Sequence, residues 1–261
     1  MDAVRDGLLG GTPLPTSQDF GYELERIIQR LEPVRVSEEE IARFEWFFFP
    51  FLHQGRHSSA LALHRQLARD PALFAEVIAA IYRAHSENTA EEHTTTEQET
   101  LRASVAYDLL SSWHTMPGAM PDGSIDAAVL NAWVDDAMAR CIACDRQAVG
   151  EQQIGQVLAC SPNGEDGVWP CAPVRDLVER IRSRDVERGI SIGKFNERGV
   201  VMKAPTEGGA RERAIATQYT AYAIALGITH PRTAGMLRQL AAGYERDARR
   251  EADRAEQRDL D

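Results

Sequence analysis

Apolar residues along this chain recur at helical spacing rather than in alternation. The densest stretch is SEEEIARFEWFFFPFL, residues 37–52. Ser37 followed by Glu40 has the form of a capping box, and Glu38, Glu39 and Glu40 sit where a helix dipole favours negative charge. From Phe44 onward almost every position is apolar. Five of the eight Phe and one of the four Trp fall within nine residues. A helix apolar on all sides is buried on all sides. This segment is therefore expected to be a peg enclosed by other helices, with Pro50 kinking or ending its last turn.

The same period marks the rest of the chain. A short helix is expected at 20–31, with Tyr22, Ile27 and Leu31 on its apolar side, and another at 57–69 with Leu61, Leu63 and Leu67. Asp70-Pro71 reads as an N-cap followed by Pro at the first helical position. Leu73, Phe74, Val77, Ile78, Ile81 and Tyr82 then form a two-wide stripe. Thr96 with Glu99 makes a second capping box ahead of Leu101, Val105, Leu109 and Trp113. Further helices follow on Val129, Trp133, Val134, Ala137 and Met138, on Ile154, Val157 and Leu158, and on Val174, Leu177, Val178 and Ile181. Two long helices close the chain, one with Ile215, Tyr219, Tyr222 and Leu226, the other with Met236, Leu237, Leu240 and Tyr244.

Helix follows helix through short turns, with no strand series and no repeat of fixed length. The expected fold is all-α, an irregular helical bundle or helical-repeat-like stack of about ten helices. Residues 1–18 read as a loose N-terminal arm and 19–85 as an N-terminal helical subdomain. Residues 86–99 read as an acidic linker or loop, because SENTAEEHTTTEQE holds nothing apolar larger than Ala. Residues 100–245 form a C-terminal helical subdomain. Residues 246–261 alternate in charge sign and read as a solvated tail, helical or frayed.

Composition narrows the function. The net charge of −11 argues against a general nucleic-acid binder, which needs clustered cations. Lys194 and Lys203 are the only lysines, so nearly all positive charge is arginine, the better group for bidentate contacts to carboxylates and phosphates. No apolar run approaches a membrane span, and the first residues lack the pattern of a signal peptide. Four Cys in 261 residues do not make a disulfide scaffold, which points to a reducing cytoplasm.

The familiar catalytic signatures are missing: no GxxxxGK[ST], no GxGxxG after a strand, no GxSxG. Cys141 and Cys144, with Cys160 and Cys171 downstream, invite a zinc-stabilised module, but the second pair lacks knuckle spacing and reduced structural thiols are the expectation. His53, His57 and His64 read as turn histidines, and the acidic turns around Asp122 and Asp166 as turn chemistry. No catalytic residue, metal ligand or cofactor is assigned.

The least ordinary stretch is the Gly/Arg-rich 189–213 segment. Gly208 and Gly209 precede a helix whose first turn carries Arg211 and Arg213. Free N–H groups and guanidinium groups there suit an anion or a partner carboxylate, and Asn196 and Arg198 are placed to join from the preceding loop.

The succession DGSID, LNAWVDDA, DRQAVGEQQIGQVLA, DGVWP, VRDLVE, ERGISIG, NERGVVMKAPTEGGARERAIATQY and PRTAGMLRQLAAGYERDA, over about 120–250, resembles the helical C-terminal region of large, poorly characterised bacterial proteins. Some such proteins serve in phage defence as sensors or scaffolds. The resemblance implies no activity. It implies a recognition end, standing alone or cut from something longer.

These readings converge on a non-enzymatic helical scaffold that binds another protein. The competing reading is an enzyme or ligand-binding protein that uses the 189–213 segment for an anionic ligand. A homo-oligomer is compatible with the sequence.

Overall fold

The computed structural model describes residues 36–52, 61–86, 96–197 and 209–258, excepting the side chains of 51 and 255–258. The expected helix at 20–31 lies outside them, as do Phe51's side chain, His53 and His57. Among the described residues every regular element is a helix: α1 (Glu38–Phe47), α2 (Phe49–Leu52), α3 (Leu61–Arg69), α4 (Pro71–Ile81), α5 (Glu97–Ser112), α6 (Ala127–Ala143), α7 (Gln147–Leu158), α8 (Ala172–Ile181), α9 (Arg184–Asn196), α10 (Ala210–Leu226) and α11 (Pro231–Arg258). The fold is all-α. No described helix is long and apolar enough to cross a membrane.

The described residues divide into two compact units. One holds those up to Pro121 together with Ala128–Gln153, and the other holds Asp122–Ala127 and everything from Ile154 onward. The division falls inside α7. The acidic 86–99 segment is described only at its ends.

In the first unit the expected caps form. Ser37 and Thr96 each close a capping box with Glu40 and Glu99, and Asp70 accepts from Ala72 N at 2.9 Å ahead of Pro71. The enclosed aromatic peg does not form as expected. Ile41, Trp46, Phe49 and Leu52 are buried, but Phe44 is 50% and Phe47 36% exposed. The helix ends at Phe47 with Phe48 as its C-cap, ahead of Pro50, and restarts at Phe49. That break leaves α1 too short for its whole circumference to find neighbours, and one edge of the aromatic run stays outside. Phe44 and Phe48 stack on that edge with centroids 6.2 Å apart.

The inward face of α1 also carries a charge. Glu45 is fully buried, and its carboxylate accepts from Ala62 N at 3.2 Å and Leu63 N at 2.6 Å. A side chain from one helix thus satisfies the free N–H groups that open another. The core centre is Phe74, Trp113 and Trp133, mutually 5.2–5.8 Å apart, with Trp133 Nε1 donating to Leu67 O. His64, expected in an exposed turn, is buried and 3.2 Å from Ser112 Oγ, because α3 presents it inward beside Leu63 and Leu67. Val129 is 49% exposed; the buried stripe of α6 runs instead through Leu130, Trp133, Val134, Ala137 and Cys141, the set that keeps helical spacing.

In the second unit, residues expected to form an interrupted connector are helical. α9 passes through Gly189 and Gly193 without a break. Both glycines serve close approach to α7. A Cβ on Gly155 would meet Val186 O at 2.2 Å and Gly189 Cα at 2.8 Å, and one on Gly193 would meet Ala159 Cβ at 2.6 Å. Burial and close packing override the low helix propensity of glycine. The charged C-terminal stretch is helical: α11 continues through it to Arg258, and Ala248 within it is fully buried.

Candidate functional site

The second unit carries a groove of about 700 Å³ between α9 and α11. Its walls follow from how each helix is anchored. Ser183 caps α9 by accepting from Asp185 N and Val186 N. The start of α11 is held by Glu179 of α8, which accepts from Thr233 N at 2.9 Å and Thr233 Oγ1 at 3.1 Å. Arg232 pairs with Glu187 and donates to Arg182 O, which ties the two walls together at one end.

The groove reaches buried Tyr244. Its ring stacks on Tyr219 at 5.7 Å with an interplanar angle of 15°, and Tyr219 meets Trp169 edge-on at 5.9 Å. Trp169 is itself fastened by Nε1 donating to Ser161 O, with Lys194 Nζ 4.7 Å above its ring. Behind it, buried Arg175 grips Asp166 through two bonds of 2.6 and 2.8 Å and also donates to Val168 O. The Arg175 bonds hold the Asp166 carboxyl down at about 2.

The groove's chemistry is arginine chemistry. Arg184 and Arg188 stand on α9, Arg246 and Arg250 on α11, all exposed. Two carboxylates line the same space. Glu187 is engaged by Arg232, and Asp247 lies 3.9 Å from Arg250. Arg184, Arg188 and Arg246 make no hydrogen bond or ion pair among the described residues. Three guanidinium groups without an ion-pair partner among the described residues line one cavity in a chain of net charge −11, and with Arg250 they outnumber its two carboxylates. Ser191 adds a hydroxyl and exposed Phe195 an apolar edge. This set can hold an anionic group bidentately while covering apolar surface beside it.

The residues singled out from sequence lie elsewhere. Asn196 ends α9, and Arg211 and Arg213 stand on the first turn of α10; all three are exposed and none lines the groove. Arg198 and Gly208 lie outside the described residues. Gly209 is buried with φ +77°, and a Cβ there would meet Ala248 O at 2.3 Å. Its demand for glycine comes from α11 passing against it. Sequence reasoning missed Arg184, Arg188, Arg246 and Arg250. Their i, i+4 spacing within each pair was the available signal, but the first pair lay in an assumed connector and the second in an assumed tail.

The cysteines are structural in their surroundings. Burial pushes the Cys141 and Cys160 thiols up to about 12, and Cys171 accepts from Ser161 Oγ at 3.2 Å. Among the described residues no group of three or more His, Cys, Asp and Glu side chains converges as a metal site. No family model, curated protein or solved structure matches this chain.

Proposed function

We propose that this protein is a non-enzymatic helical recognition module that receives an acidic segment of another protein in the α9–α11 groove. The observation carrying the reading is the set Arg184, Arg188 and Arg246, which share one cavity with only two carboxylates and make no ion pair among the described residues. Guanidinium groups left unpaired by the fold are ready for carboxylates supplied from outside. The resemblance of residues 120–250 to the helical ends of large bacterial proteins, some of them phage-defence sensors or scaffolds, supports a recognition role.

Fluorescence anisotropy with a labelled Glu-rich peptide tests the proposal, with a Lys-rich peptide as control. The acidic peptide is expected to bind, to weaken as salt rises, and to lose at least about tenfold in affinity in an Arg188→Glu/Arg246→Glu variant. Equal binding of both peptides, or no effect of the variant, refutes it. A second reading follows from the groove's size: about 700 Å³ is within the range that encloses a small molecule. A thermal shift with inorganic pyrophosphate, lost in the same variant and unmatched by the peptide, would favour a small anionic ligand.

A further inference from the structure

The arginine groove is larger than its charges need. Carboxylates paired with Arg184, Arg188 and Arg246 fill only a fraction of its 700 Å³ or so. The remaining space is bounded by Phe195 of α9 and by Leu240, Gly243 and Tyr244 of α11. Phe195 stands at the rim, 59% exposed, while Leu240 and Tyr244 form a nearly closed floor. Water in this part of the groove faces rings and aliphatic carbon, and its release favours an apolar occupant.

Gly243 shapes that space. It lies inside α11, where glycine costs helix stability. Gly155, Gly193 and Gly209 are required by atoms that come within 3 Å of where a Cβ would stand. Gly243 is not: the nearest atom to its Cβ position is an Arg246 guanidinium nitrogen, at 3.9 Å. The packing of α11 makes no demand for glycine here, but the groove gains a notch from it. Arg246 borders the notch on its own helix, and Arg184 and Arg188 stand on the α9 wall.

We infer that the notch at Gly243 takes one apolar side chain of the incoming segment, so that the motif recognised is an apolar residue with carboxylates on both sides of it. The inference rests on the reading of the groove as the site of an acidic segment, and narrows it. A uniformly acidic segment sets a carboxylate against Phe195 and Leu240, where it loses water and finds no donor. A purely apolar segment covers the floor but leaves the arginines without an anion. The mixed motif satisfies both parts of the groove. The arginine stems cover the flanks of the apolar residue while their guanidinium groups reach its acidic neighbours.

Two labelled peptides read the test by fluorescence anisotropy on the full chain. One has a central leucine between runs of glutamate, and the other has alanine at that centre. The leucine peptide is expected to bind about tenfold more tightly, the worth of a leucine side chain that is partly covered. Both affinities fall as salt rises, but their ratio is expected to hold, because the anchor carries no charge. Gly243→Leu fills the notch and is expected to bring the ratio below about twofold, whatever it does to either affinity alone. Phe195→Ala, at an exposed position, is expected to lower it to about threefold. Gly235→Leu is the control: it too has open space at its Cβ but does not line the groove, and the ratio should stay near tenfold. Equal binding of the two peptides overturns this inference and leaves the acidic-segment reading standing. Binding of neither overturns both. A preference for leucine that survives both Gly243→Leu and Phe195→Ala, or that Gly235→Leu abolishes as well, overturns the assignment of the anchor to the notch.

Discussion

The two units build their centres from aromatic residues but put them to different ends. In the first, Phe74, Trp113 and Trp133 close on one another, and Trp133 Nε1 donates back into the protein, to Leu67 O. In the second, Trp169, Tyr219 and Tyr244 form a chain that begins at a loop gripped by Arg175 and ends in the wall of a groove. Tryptophan and phenylalanine in a cluster maximise buried area. Tyrosine brings the same stacking surface plus a polar tip that can stand at a wet boundary. The difference teaches where to expect function: in the unit whose aromatic core reaches its own surface.

The comparison breaks most readily at Trp133. Trp133→Ala removes a ring at the centre of the closed cluster and is expected to cost about 3–5 kcal/mol, read by chemical denaturation. If the loss is below about 1 kcal/mol, that cluster is not the centre of the first unit.

Helix contact in the second unit rests on the absence of side chains. Gly155→Ala places a Cβ 2.2 Å from Val186 O, and α7 and α9 must separate, at an expected loss of about 1–3 kcal/mol. Gly235→Ala is the matched control. Nothing lies within 4 Å of its Cβ, so the substitution should stabilise α11 by about 0.5–1 kcal/mol. Opposite signs in the two melting temperatures would confirm that the α7–α9 contact, not helix propensity, requires Gly155.

Both units cap a helix with a carboxylate from a neighbouring one, Glu45 for α3 and Glu179 for α11. Glu45→Ala leaves two buried N–H groups without their acceptor and is expected to cost about 1–3 kcal/mol in urea unfolding. Glu179→Ala should cost a similar amount, since it takes the acceptor from both the N–H and the hydroxyl of fully buried Thr233 and from Arg232 N.

The smallest effect is one of pH. The Asp166 carboxyl ionises at about 2 in the folded chain, below its ordinary value near 3.8, owing first to Arg175. A depressed carboxyl adds stability that is complete above its unfolded pKa and is lost as pH falls through the folded one. The second unit should therefore lose an Asp166-dependent increment between about pH 4 and 2, and Asp166→Asn should flatten that limb of the stability profile. Because the Asp166 side chain is half exposed, the increment is small.

Much of the fold could be read directly from local order. Ser37–Glu40, Asp70-Pro71 and Thr96–Glu99 announce helix starts because a cap is satisfied by residues two or three positions away, and all three form. The stripes Leu73–Ile78 and Val105–Trp113 announced their buried faces for the same reason: helical period is a local property. The sequence by itself thus determined an all-α chain, its main caps and most inward faces. Tertiary structure alone decided three further things. It decided that Phe44 and Phe47 stay outside, because enclosure depends on what else packs nearby. It decided that Gly189, Gly193 and Gly209 are places of close approach, because a missing side chain is informative only beside the backbone it admits. And it decided that Arg184, Arg188 and Arg246 share one cavity, because residues some sixty positions apart meet only once helices pack.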